Sequence, residues 1–157
     1  MSVPPAVCGA AGVYLFASSS DLHRERGYHI AASLAIAMLG LAGLIASATG
    51  AGKYAALCVF TFGSYVPPPL TAAWLSNNTP AGDRRALVMG VNGWGNLAGV
   101  VGSQLYRSEY APEFRVPLFV TLALLGAAVP GYLAYRRMLQ AANRRRSMTG
   151  NRSAYGL

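Results

Sequence analysis

From Ala86 to Tyr106 the chain runs 21 residues without a charged side chain, and this stretch limits the possible folds more than any other. An α-helix of that length rises about 30 Å, the thickness of a bilayer's hydrocarbon core. Five glycines (Gly90, Gly93, Gly95, Gly99, Gly102) and two asparagines (Asn92, Asn96) stand inside it. Glycines three and four apart, including the GxxxG of Gly95 and Gly99, let a second helix approach backbone to backbone. Gly95, Gly99 and Gly102 are therefore expected to pack against another helix. Amides within such a span cost free energy unless they meet a partner, a cavity or a ligand. The run reads as a membrane helix from a bundle's interior.

The 13 basic and 5 acidic residues cluster, leaving 1–20, 27–52, 54–82, 86–106 and 116–135 free of charge. A soluble helical protein needs a charged face on each helix, because each helix shows water one side. Here the helix centres are apolar or small all round. The expected fold is an all-α membrane bundle with four full transmembrane helices, at 28–49, 54–76, 86–106 and 116–136. A partial helix at 1–19 precedes them. Its run lacks a basic opening segment, which argues against a signal peptide.

Charge asymmetry orients these spans. Ten of the 13 basic residues lie in three segments: Arg24 with Arg26, Arg84 with Arg85, and Arg136, Arg137, Arg144, Arg145, Arg146 and Arg152. The alternate segments carry only Lys53, Arg107 and Arg115, the last two beside Glu109 and Glu113. By the positive-inside rule, the loops 20–27 and 77–85 and the tail 137–157 are cytoplasmic, with Arg24, Arg26, Arg84, Arg85, Arg136 and Arg137 as topology anchors. The loop 107–115 is extracellular, and the polar tail is expected to be disordered. No aromatic–basic interleaving accompanies the charge, so nucleic acid is not an expected partner.

Pro67, Pro68 and Pro69 fall inside the third run. They cannot sit within an unbroken helix, since each removes a backbone donor and Pro68 and Pro69 disfavour helical backbone at the residue before them. The break is either a packing kink or a hinge lining a transport path. GWGNLAG at 93–99 matches a loose dinucleotide fingerprint, but it lies in mid-helix without a βαβ unit. His23 and His29 stand apart from any catalytic cluster, and no carboxylate lies within a span. Cys8 and Cys58 sit in apolar runs as free thiols. No enzyme activity, cofactor or metal is expected. Asn77-Asn78-Thr79 and Asn151-Arg152-Ser153 are glycosylation sequons that this orientation leaves unused.

WLSNNTPAGDRRA at 74–86, GNLAGVVGSQLY at 95–106, AP at 111–112 and the basic loop SDLHRERG at 20–27 together resemble the carboxyl-terminal half of a major facilitator superfamily transporter. More narrowly, they are similar to the fungal anion:cation symporter (allantoate permease-like) family. The resemblance covers nearly everything except the tail. It implies that 1–18 are the end of an eighth span and the four full runs the ninth to twelfth of a 12-helix fold. Asp83 stands where a threonine or similar residue is common, and Phe114 where tyrosine is frequent. On this alignment the transporter's N-terminal half is missing.

The resemblance implies a fragment of a secondary transporter, multi-pass in the plasma membrane, that moves small organic anions (carboxylates, ureides or vitamins) with proton coupling and by alternating access. Candidate substrate-binding residues are Tyr65, Trp74, Asn92, Trp94 and Asn96. Asn92 and Asn96, four apart, share a helical face and either donate to a carboxylate or bond another helix. Any cation that pairs with the anion must come from outside this chain, because no span carries a charge. The alternative is a standalone small membrane protein acting as an oligomeric channel or scaffold subunit.

Overall fold

The computed structural model describes residues 3–111, 114–148 and 155–156. Pro112 and Glu113 of the expected outer loop, Asn151 and Arg152 of the tail, and the side chain of Asn96 lie outside the described residues. Among those described, only helices and turns occur. The helices are α1 (Val3–His23), α2 (Gly27–Ala46), α3 (Gly50–Ser64), α4 (Pro67–Asn78), α5 (Asp83–Gly93), α6 (Ala98–Leu105) and α7 (Arg115–Met148). A 3₁₀ turn, Trp94–Leu97, separates α5 from α6.

Two of the four expected full spans are single helices long and apolar enough to cross a membrane, Gly27–Ala46 and Arg115–Ser147. The other two are divided. The span expected at 54–76 breaks at Tyr65 and Val66, after which Pro67, Pro68 and Pro69 occupy the first turn of α4. Their missing N–H groups cost nothing there, because first-turn donors have no partner within the helix. The glycine-rich run is divided by the 3₁₀ turn, in a segment where Gly93 and Gly95 weaken the helix. Conversely, the last helix outruns its expected end at 136 and continues to Met148. Residues 137–148 are therefore helical and not an irregular tail: Met138, Leu139, Gln140 and the alanines and arginines that follow are strong helix formers.

α3 packs against both α1 and α2 through glycines. A Cβ on Gly12 would collide with the Phe62 carbonyl oxygen, one on Gly40 with the Phe60 amide nitrogen, and one on Gly63 with the Ser33 carbonyl oxygen. Gly43 faces Ala56, Gly40 faces Phe60, and Ser33 and Ala37 face Gly63, so α2 and α3 run antiparallel. Thr61 Oγ1 donates to the Pro5 carbonyl at 3.0 Å, tying α3 to α1. A second contact region joins α2, α4 and α7, with Ile30, Leu34, Val66, Leu70, Trp74 and Leu139 buried together. Elsewhere the large apolar side chains point outward. Leu39 is 70% exposed and Leu124 63%, with Val7, Leu15, Val116 and Phe119 alike. An apolar girdle of this kind suits lipid and is rare on a soluble monomer.

Candidate functional site

The helices gather charge at their two ends. At one end, the loop from α1 to α2 turns through Arg24 in the left-handed region (φ 51) and delivers Glu25 to α7. Arg136 grips that carboxylate with two donors, Nη2 to Oε1 at 2.7 Å and Nε to Oε2 at 3.1 Å. Its guanidinium also lies 3.8 Å from the centroid of the Tyr28 ring, a cation–π contact. Only 6% of Arg136 is exposed. Gly27 makes room for it, since a Cβ there would come within 2.8 Å of Arg136 Cδ and 3.1 Å of Trp74 Cη2. Ser20 Oγ donates to the Glu25 carbonyl at 3.1 Å, and Arg26 Nη2 pairs with Asp21 Oδ1 at 2.9 Å. A cavity of about 300 Å³ opens beside this clasp, lined by Ser20, Asp21, Arg24, Arg26, Trp74 and Asn77.

At α4's end of the same region, Arg85 Nε and Nη2 donate to the Thr79 carbonyl at 3.2 and 3.0 Å. This closes the turn between α4 and α5. Arg84 and Arg137 are exposed. The opposite end of the bundle brings Ser47, Lys53 and Arg115 around a second cavity of about 310 Å³. α2 links the two ends, its 20 residues rising about 30 Å. Thus the segments 20–27, 74–85 and 136–137 meet at one end, and 47–53 and 115 at the other.

The four candidate substrate residues whose side chains are described, Tyr65, Trp74, Asn92 and Trp94, do not converge. Trp74 is 1% exposed and donates from Nε1 to the Gly156 carbonyl at 2.9 Å, with Tyr135 edge-on at 4.8 Å between ring centroids. Its indole N–H is thus already bound within the chain, and its ring packs on Tyr135. Tyr65 covers Gly9 and lines a wide apolar cleft with Val3, Pro5, Val7, Tyr54 and Leu57. Asn92 is half-buried on α5, and Trp94 is 75% exposed on the 3₁₀ turn. That turn interrupts the α-helical register expected to align Asn92 with position 96. The broken end at Pro67, Pro68 and Pro69 offers an anion no amide donors, because the three ring nitrogens carry no hydrogen.

Nor do the expected packing glycines meet a neighbour. A Cβ on Gly95, Gly99 or Gly102 would find nothing within 4 Å, and α5 buries none of its residues. Gly12, Gly40 and Gly63 fill that role instead. α6 reaches the rest of the bundle through Tyr106, whose hydroxyl lies 2.9 Å from Thr121 Oγ1 on α7. The Glu25–Arg136 clasp escaped sequence reasoning, since its partners are 111 positions apart. Glu25 is the lone glutamate of a basic loop, and nothing in the sequence marks its partner. Both cysteines are free and half-buried. Among the described residues, no group of three or more His, Cys, Asp or Glu is placed to hold a metal ion.

No family model matches the chain, and no solved structure does. Curated relatives do. The major facilitator-type transporter hxnP of Emericella nidulans is 34% identical over 149 residues, covering 92% of this chain and 30% of the relative. The MFS-type transporter efuF of Hormonema carpetanum is 30% identical over 149 residues, with the same shares of 92% and 30%. The high-affinity nicotinic acid transporter of Saccharomyces cerevisiae is 27% identical over 124 residues, which is 78% of this chain and 23% of that one. The chain thus spans about 30% of the length of the first two relatives. Two of these relatives are named as major facilitator-type transporters and the third as a transporter, and they support the same reading of this chain.

Proposed function

We propose that the chain is the carboxyl-terminal portion of a major facilitator carrier for small organic anions, acting by alternating access with proton coupling. The observation that carries this reading is the separation of charge to two ends of an apolar bundle about 30 Å apart, in a chain two of whose relatives are named as major facilitator-type transporters. On this reading, the end bearing Glu25, Arg85 and Arg136 faces the cytoplasm of a plasma-membrane protein. The exposed face of α5 and α6 is the side that the remainder of the carrier covers. The name of the Saccharomyces cerevisiae relative points to a carboxylate as the anion class. Asn92, Asn96, Trp94 and Tyr65 are then the candidate substrate contacts, and the break at Pro67, Pro68 and Pro69 the hinge between α3 and α4.

A chimera tests this. Replacing the matching stretch of the nicotinic acid transporter with this chain is expected to preserve uptake of labelled nicotinate in cells. Asn92→Ala in that chimera is expected to lower uptake about tenfold, the loss of one hydrogen bond to a charged ligand, without lowering its surface amount. A chimera that reaches the surface and takes up nothing would count against the reading. Uptake or conductance by this chain alone in liposomes would support the oligomeric channel instead.

A further inference from the structure

The residues Tyr155 and Gly156 meet the bundle through their main chain. The Asn143 side chain brackets Tyr155, with its Nδ2 donating to the Tyr155 carbonyl at 3.0 Å and its Oδ1 accepting from the Tyr155 amide at 2.8 Å. Asn78 brackets Gly156 in the same way, Nδ2 to the carbonyl at 3.0 Å and Oδ1 from the amide at 2.8 Å. Trp74 Nε1 adds a second donor to the Gly156 carbonyl at 2.9 Å. Above them, Arg146 stacks 4.0 Å from the centroid of the Tyr155 ring and donates to its hydroxyl at 2.6 Å. Tyr155 packs on the buried cluster of α2, α4 and α7.

Two consecutive residues thus have every backbone polar group bound by side-chain amides from two different helices, Asn78 of α4 and Asn143 of α7. A side-chain amide that both donates to and accepts from one residue reads the backbone as a neighbouring β-strand would. With the segment in place Asn78 is 9% exposed and Trp74 is buried, so their polar groups are matched by its main chain and not by bulk water. We propose that Trp74, Asn78, Asn143 and Arg146 form a docking site for an extended peptide, and that the chain fills it with its own Tyr155–Gly156, strapping α4 to α7. The strap also walls the cavity beside the Glu25–Arg136 clasp, where Gly156 is a lining residue. Recognition at position 156 is by main chain: a Cβ there would have Asn78 Oδ1 as its nearest neighbour, at 3.8 Å. At position 155 it depends on the aromatic ring. The inference stands apart from any transport activity.

Hydrogen exchange at these two amides, in the full chain purified in lipid nanodiscs, tests the strap. Both are expected to exchange at least about tenfold more slowly than in an unstructured peptide. Asn78→Ala and Asn143→Ala are each expected to free both amides, because the pair docks as one unit. Tyr155→Ala leaves the receiving helices intact and is expected to free the Gly156 amide and to speed exchange in the last turn of α4. Gly156→Ala is expected to keep the protection. Free exchange in the unaltered chain would overturn the proposal, as would protection that survives both asparagine changes together. Protection that falls on dilution would assign the occupant to a second copy and overturn the intramolecular strap. An unchanged last turn of α4 in the Tyr155→Ala chain would overturn the tie between α4 and α7.

Discussion

Gly63→Val is expected to destabilise the bundle by about 3 kcal/mol, the upper part of the range for overpacking a close contact. Position 63 lies where α3 crosses α2, and its Cβ would be driven into the Ser33 carbonyl and the Ala37 amide. Both are backbone atoms of a helix that is itself packed on two sides, so neither yields as a flexible side chain would. For a chain of this size the loss corresponds to a fall of about 10 °C in Tm, read by thermal unfolding in detergent. Gly99→Val is the matched control: its Cβ would meet nothing within 4 Å, and its effect is expected to stay within about 0.5 kcal/mol. Equal effects at the two positions would refute the helix contacts described for α2 and α3.

Glu25→Ala is expected to cost a similar amount for a different reason. It strips the carboxylate from an Arg136 side chain that is 7% exposed, leaving a buried cation with the Tyr28 ring as its remaining partner among the described residues. Breaking one side of a buried pair costs about 3 kcal/mol, whereas replacing both sides by neutral groups of similar volume costs far less. The double change Glu25→Gln with Arg136→Leu is therefore expected to be more stable than Glu25→Ala alone. A double-mutant cycle on urea or thermal unfolding measures the difference. A double variant as unstable as the sum of its parts would show that the two groups do not interact.

Much of the architecture was legible because bilayer-compatible helices leave a plain trace, long runs without charge. The runs at 28–49 and 116–136 became α2 and α7, and the three prolines marked the break between α3 and α4. Helix contacts left a weaker trace: the short turn GAGK at 50–53 makes α2 and α3 antiparallel neighbours, but most of the contacts are unmarked. A GxxxG pattern states that a close approach is possible, and Gly95 and Gly99 have it; whether a partner is present depends on the fold. Gly40 and Gly43, three apart in the run 28–49, do mark a contact face, and they meet Phe60 and Ala56 of α3. Gly12 and Gly63 carry no such mark, and only three-dimensional placement sets them against Phe62 and Ser33. Trp74 shows the same gap at the candidate site. A tryptophan in an apolar run suggests a ligand platform, but its indole N–H is bound to a carbonyl 82 residues away. The tail's polarity suggested disorder and hid the helix formers that carry α7 to Met148.

The central claim is that the two charged ends of the bundle lie on opposite sides of a bilayer. Lys53, the sole lysine, is exposed at one end, and Asn77 is exposed at the other. In intact cells, a membrane-impermeant amine reagent is expected to modify Lys53, while an impermeant maleimide reaches an Asn77→Cys variant only after the membrane is permeabilised, both sites being read by peptide mass. Modification of both positions from the same side, or a chain that stays in solution without detergent, would contradict the account.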